Sequence, residues 1–142
     1  MILLVTGGRT YTLVTPIKLL ADAEAEAGNL IRALDRVHAR RSITLLFEGE
    51  ADGADKASRE WATMRGVSVR AVPVDHALDG PWPGAGPRRN ARLLAQAIEA
   101  ASLLSEPDSL GIVAFPGDRG TQNMVDQVTR AGYGDKIWRP YG

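Results

Sequence analysis

"VAFPGDRGTQNMV", residues 113–125, changes character at its midpoint. Val113, Ala114 and Phe115 form a short apolar run of strand type that stops at Pro116. Gly117-Asp118-Arg119-Gly120-Thr121 follows, and then apolar residues return at helical spacing: Met124, Val125, Val128 and Ala131. A strand that passes through a glycine-rich turn into a helix is the βα unit of a parallel sheet. One reading of the turn is a tight connection that needs glycine for its backbone. The other is a cradle for an anion, because amides at a helix N-terminus point outward and carry positive potential.

Working outward, the same alternation recurs along the chain. Apolar runs predict strands near Met1–Thr6, Ile43–Glu48, Val67–Pro73, Gly111–Phe115 and Lys136–Trp138. Helical periodicity predicts helices near Asp22–Arg40, Ala54–Arg65, Arg88–Ala101 and Thr121–Ala131. This is the pattern of an α/β protein: a Rossmann-like three-layer sandwich, with a largely parallel sheet of about five strands and helices on both faces. The 142 residues, 44% of them hydrophobic, are enough for one core and too few for two, and no linker divides them. A single domain over 1–142 is expected. "DHALDGPWPGAGP", residues 75–87, has three prolines and three glycines and reads as an irregular loop.

Bulk composition narrows the function. Seventeen basic residues balance seventeen acidic ones, so general affinity for a nucleic-acid backbone is not expected. The chain has no cysteine, which removes disulfides and thiolate metal sites, and two histidines make a zinc site improbable. No window approaches the roughly 20 apolar residues of a membrane span. The apolar start Met1–Val5 lacks a basic leader and reads as a first strand. A cytoplasmic protein with no membrane partner is expected.

Each unusual cluster falls just after a predicted strand. In a parallel sheet those turns meet at one edge, where open α/β sheets bind ligands. After the first strand, Gly7-Gly8-Arg9 is either a plain turn or a close backbone approach to phosphate, with Arg9 paired to the anion. After the second, Asp52-Gly53-Ala54-Asp55 offers one aspartate to cap a helix and the other to accept ribose hydroxyls. After the third, Arg88, Arg89 and Asn90 are predicted to open a helix. Cations there oppose the macrodipole, and a bound anion would resolve the conflict, with Arg89 or Asn90 in contact. After the fourth, Pro116, Gly117, Gly120 and Thr121 fit a backbone nest, in which Asp118 is neutralised by Arg119 or points away. The turn is neither Walker A nor GxGxxG, so ATP hydrolysis and nicotinamide chemistry are not indicated and no resident cofactor is expected. Trp61 reads as core and His38 as surface. His76 and Trp82 are candidates for a ligand or lid contact.

These motifs, "VTGGR-Y", "EADGADKASREWA---GV-V", "GAGPRRNARLL" and "AFPGDRGTQNMV---AG", occur in the order seen in the YspA-type (cpYpsA-related) branch of the SLOG superfamily. The chain resembles that branch from Leu3 to about Gly132, with residues 13–29 as an insertion or extended helix start. The superfamily is Rossmann-like, often bacterial or phage-borne, and is similar to the Lonely Guy phosphoribohydrolases and to proteins once labelled lysine decarboxylases. The resemblance implies a site for a nucleotide or ADP-ribose-like molecule, with phosphate on Gly117, Gly120 and Thr121 and a facing cation from Arg89. It also implies a homodimer.

In the hydrolase branch the turn reads PGGxGTxxE, and its glutamate is needed for N-glycosidic cleavage. Met124 stands at that position here, Asp118 replaces the second glycine, and Gly49-Glu50-Ala51 replaces Gly-Gly-Ala. A thioether neither stabilises an oxocarbenium-like centre nor moves a proton. The expectation is therefore a nucleotide-derivative binder with a sensing or sequestering role. Its rivals are a phosphoribohydrolase with a relocated carboxylate (Asp52, Asp55, Asp118 or Glu50) and a protein-interaction module.

Overall fold

A computed structural model describes residues 1–142. Its strands are β1 (Ile2–Thr6), β2 (Leu45–Glu48), β3 (Ser68–Ala71), β4 (Leu110–Ala114) and β5 (Ile137–Trp138). Its helices are α1 (Leu20–Arg40), α2 (Ala54–Arg65), α3 (His76–Asp79), α4 (Ala85–Ser102) and α5 (Arg119–Arg130), with a 3-10 turn at Gly134–Lys136. All strand pairs are parallel, in the order β3-β2-β1-β4-β5.

β1 lies at the centre and is apolar on both faces because both faces are covered. Alternate residues point opposite ways. Leu3 and Val5 join Leu46, Val113 and Phe115 beneath α1 and α2, which contribute Leu30, Leu34, Trp61 and Ala62. Ile2 and Leu4 join Phe47 and Ile112 beneath α4 and α5, which contribute Leu93, Leu94, Ala97, Met124 and Val128. The three-layer sandwich follows from this double burial, and each large apolar side chain so buried contributes about 1.5–3 kcal/mol.

The order also places the site. From β1 the chain steps to β2 and β3, then crosses the sheet through α4 to reach β4 on the other side of β1. The connections leaving β1 and β4 therefore diverge and open a crevice at the carboxyl edge.

The 75–87 segment is less irregular than its composition predicts. It contains α3, and α4 starts at Ala85, not Arg88. Pro87 falls in the first helical turn, where an N–H has no intrahelical acceptor and its loss costs little. Arg88 and Arg89 consequently lie a turn inside the helix, and the argument from cations at its very start does not apply. Asp75 caps α3 through the Ala77 amide at 3.0 Å, and Asp79 accepts from the Asp75 amide at 2.8 Å. α1 begins two residues earlier than periodicity suggests, after a strap in which Thr15 and Lys18 pair as an isolated bridge. His38 is not a free surface residue: it is half-buried, accepts from the Ile43 amide at 2.9 Å and stands edge-on to the buried Trp61.

Candidate functional site

The turns after β1 and β4 interlock through their glycines. The Gly8 amide donates to the Pro116 carbonyl at 2.9 Å, and the Gly8 carbonyl accepts from Ala54 at the head of α2 at 3.1 Å. A Cβ on Gly8 would lie 2.9 Å from the Pro116 oxygen, and one on Gly7 would lie 2.5 Å from the Ala54 Cβ. Side chains at either position would push the three segments apart.

α5 begins with its donors unused. Asp118 occupies the N-cap but makes no side-chain cap bond, and the first amide to find an acceptor is Gln122, bonded to the Asp118 carbonyl at 3.0 Å. The backbone N–H groups of Gly117, Asp118, Arg119, Gly120 and Thr121 donate to nothing in the protein. Thr121 is 3% exposed, and its buried hydroxyl also has no partner. Gly117 to Gly120 are exposed and the amides of any first helical turn lack intrahelical acceptors, so the buried Thr121 hydroxyl is the one unsatisfied group here, beside free donors at the positive end of a helix dipole.

Beside it opens a cleft of about 290 Å³ between the ends of β1 and β2, the first turns of α4 and the head of α5. Two opposite charges face it. Arg89 reaches inward from α4: its Nη1 donates to the carbonyls of Gly49 and Val72, and its Nε donates to Asn90 Oδ1 at 3.1 Å. Nη2 has no acceptor within the protein. Gly49 makes room for this guanidinium, since a Cβ there would lie 2.6 Å from Nη1. Asp55, in the first turn of α2, points away from its own helix. Its Oδ2 accepts from the Gly49 and Ala51 amides, both at 3.2 Å, while Oδ1 makes no hydrogen bond.

The electrostatics follow from burial. Loss of water pushes Asp55 up to about 6, and Glu48 adds to the rise; the Ala51 and Gly49 amides and Arg89 oppose it. Burial also draws Arg89 below its ordinary value, against the pull of Asp55. Glu48, buried at the end of β2, is likewise raised by burial, although Arg59 pairs with it at 3.0 Å. The cleft thus holds a half-buried cation and a buried carboxyl group pushed up to about 6.

An amide ladder fixes α4 against α5. Asn90 Nδ2 donates to the Gly120 carbonyl at 3.2 Å and to Asn123 Oδ1 at 3.1 Å. Gln127 Nε2 donates to Asn123 at 2.8 Å and to the Pro87 carbonyl at 2.9 Å. Asn90 is therefore already engaged, and its first task is to align the two helices.

Of the residues singled out in the sequence, Gly7, Arg9, Asp55, Arg89, Asn90, Gly120 and Thr121 line the cleft. Gly8, Pro116 and Gly117 form the ridge beside it, shared with a shallower hollow lined by Tyr11 and Lys18. Gly53 lies buried beneath the Gly8 carbonyl with φ +73°, and Asp52 is exposed and outside the cleft. Neither aspartate caps α2 through a side-chain bond. Met124, 1% exposed, closes the floor. His76 bonds the Gly80 carbonyl and Trp82 packs edge-on against His76; Pro83, not Trp82, reaches the cleft. Reading the sequence missed Asn123. A lone amide within a helical repeat carries no local signal of its role.

A profile of the YspA, cpYpsA-related SLOG family, YAcAr, matches residues 1–78. The chain belongs to that family. The match runs from β1 into α3, ending at Leu78, and so contains the Gly7-Gly8 turn and Asp55; Arg89 and the α5 turn of this SLOG protein lie beyond it. Comparison with curated proteins and with solved structures gave no match. SLOG membership ties the protein to binding or processing of a nucleotide-related ligand. No helix is long and apolar enough to cross a membrane.

Proposed function

We propose that the cleft binds a phosphorylated ribonucleoside or ADP-ribose-like molecule in a sensing or sequestering role. The observation that carries this reading is the run of free amides from Gly117 to Thr121 above an unpartnered, buried Thr121 hydroxyl. A phosphoryl group satisfies several such donors at once, and its charge makes each of those hydrogen bonds stronger than one to a neutral oxygen. Arg89 Nη2 and Arg9 supply cationic contacts from the facing wall. Asp55 Oδ1, an acceptor with nothing to accept, suits a sugar hydroxyl.

A second reading rests on the same carboxyl group. Asp55 is buried, faces the cleft and titrates near 6, the properties of a group that gives and takes protons at neutral pH. In that reading Asp55 assists cleavage of an N-glycosidic bond in the absence of a carboxylate at Met124.

Thermal shift and calorimetry across AMP, ADP, ADP-ribose and inorganic phosphate test the first reading. Saturable binding is expected for the nucleotide ligands, and Arg89→Ala should weaken it at least about tenfold, the loss of one charge-assisted contact. A flat panel would overturn the proposal and favour a protein-interaction module. Release of free base or ribose 5-phosphate, abolished in Asp55→Asn, would replace binder by hydrolase.

A further inference from the structure

The ridge of Gly8 and Gly117 has a second side. Across it from the cleft, the hollow of about 300 Å³ lies between the strap of residues 9–18, α1 and the β4–α5 turn. Arg9 and Asp118 line both cavities, while Gly117 borders the hollow and Thr121 the cleft, so the run of free amides serves both. Tyr11, which lines the hollow, is 4% exposed, and its ring stacks on Phe115 at 5.5 Å. Its buried hydroxyl makes no hydrogen bond in the protein, although buried polar groups are ordinarily satisfied. Burial, with Glu26 and Tyr141 nearby, pushes the phenol up to about 12, so it keeps its proton and can donate. The strap that carries Tyr11 is pinned to α1. Glu26 Oε1 accepts from Lys18 Nζ at 2.7 Å and from the Thr12 amide at 2.9 Å, which holds Thr12 at φ +73°, a conformation that β-branched residues rarely adopt. Glu26 Oε2 accepts nothing.

The lining decides what fits. Arg9 and Lys18 are balanced by Glu26 and Asp118, so the hollow offers no net charge to a second anion. It offers a donor, Tyr11 Oη, beside acceptors, Glu26 Oε2 and the uncommitted Asp118 carboxylate. A hydroxyl group both gives and accepts hydrogen bonds, whereas an ionised phosphate oxygen only accepts. We propose that the hollow is a sugar subsite. The ligand crosses the ridge, with its nucleoside in the cleft, its phosphates on the α5 turn and a second, hydroxyl-bearing sugar against Tyr11 and Glu26. This rests on the phosphate site of the proposed function and adds the far end of the ligand: Tyr11 selects a nucleoside diphosphate joined to a sugar over the free nucleoside diphosphate. Lys18 and Glu26 fall in the 13–29 segment, outside the family motifs, so the selection belongs to this chain's own strap.

Calorimetry with ADP and ADP-ribose tests the subsite, because the two differ by the terminal ribose. ADP-ribose should bind about tenfold or more tightly than ADP. Tyr11→Phe keeps the ring on Phe115 and removes one oxygen. It should weaken ADP-ribose about tenfold, leave ADP unchanged and not lower the melting temperature of the unliganded protein. Thr10→Trp, at an exposed position of the strap, fills the hollow and should abolish the preference for ADP-ribose while sparing ADP. Equal affinities for ADP and ADP-ribose overturn the subsite and leave the phosphate site standing, as does a preference that survives both substitutions. If neither molecule binds, phosphate site and subsite fall together. A melting temperature lowered by Tyr11→Phe means that the hydroxyl is bonded within the fold, and that also overturns the proposal.

Discussion

Gly117 and Thr121 are packed so closely that a Cβ on the glycine would fall 2.0 Å from the threonine hydroxyl oxygen and 2.8 Å from the Gly8 nitrogen. The second distance matters more, because the first neighbour can rotate and the second is backbone. Gly117→Ala should therefore drive the β1 and β4 turns apart, at a cost of about 2 kcal/mol or more. Removing the hydroxyl as well, in Gly117→Ala with Thr121→Ala, should not recover the loss. Urea denaturation of the unmodified chain and the two variants decides the point: recovery in the double variant would mean that the side-chain contact, not the interlocked turns, sets the geometry.

The Thr121 hydroxyl separates stability from function. It is buried without a partner, so the unliganded protein bears its desolvation with no hydrogen bond in return. Thr121→Val keeps the shape and removes the polar atom. The variant should gain about 1 kcal/mol of stability without ligand while binding phosphorylated ligands more weakly. Paired melting and calorimetry test this, and a variant destabilised without ligand would mean that the hydroxyl is satisfied within the fold.

These relationships were unevenly legible in the chain. The strand-turn-helix units could be read because each strand is a run of apolar residues buried on both faces, and each turn is marked by glycine. From such units the parallel sheet and its ligand-binding edge follow. The role of Gly49 was not legible, since the Cβ it lacks would meet a guanidinium forty positions away. The start of α4 was misplaced because Gly84, Gly86 and Pro87 read as loop. Proline is nevertheless at home in a first turn, and α3 and Arg88 brace the segment from outside. Asp55 resembled a cap by position, but its carboxylate turns to the Gly49 and Ala51 amides, a choice fixed by the path of β2.

Arg92 should control the wall of the cleft without touching it. Its Nε and Nη2 clamp the buried Asp79 carboxylate at 3.0 and 2.7 Å, and Nη2 also holds the Pro73 carbonyl at 2.8 Å. The Arg92 contact, with the Asp75 amide second, holds Asp79 down to about 2. A carboxyl group so depressed lends stability that is complete above its unfolded value near 4 and is lost as pH falls through 2. Arg92→Met should loosen residues 75–87 at neutral pH. Faster hydrogen exchange there, with β1 and β4 unchanged, is expected. Asp79→Asn with Arg92→Met should be milder than Arg92→Met alone, because no buried charge is stranded.

Asp55 behaves in the opposite sense. Its folded value of about 6 lies above its unfolded one, so folding binds the proton more tightly. Any contribution it makes to stability is complete below pH 4 and disappears as pH rises through 6, leaving an ionised, buried carboxylate. Asparagine in its place can still accept from the Gly49 and Ala51 amides through one oxygen and carries no charge. Asp55→Asn should therefore be more stable than the unmodified chain at pH 8, by about 3 kcal/mol at most, with the difference shrinking to nothing by pH 4. Melting curves of both proteins from pH 4 to 8 give the measurement. A constant offset across that range would mean that Asp55 titrates as an ordinary solvated aspartate, and the proton-transfer reading of the cleft would lose its support.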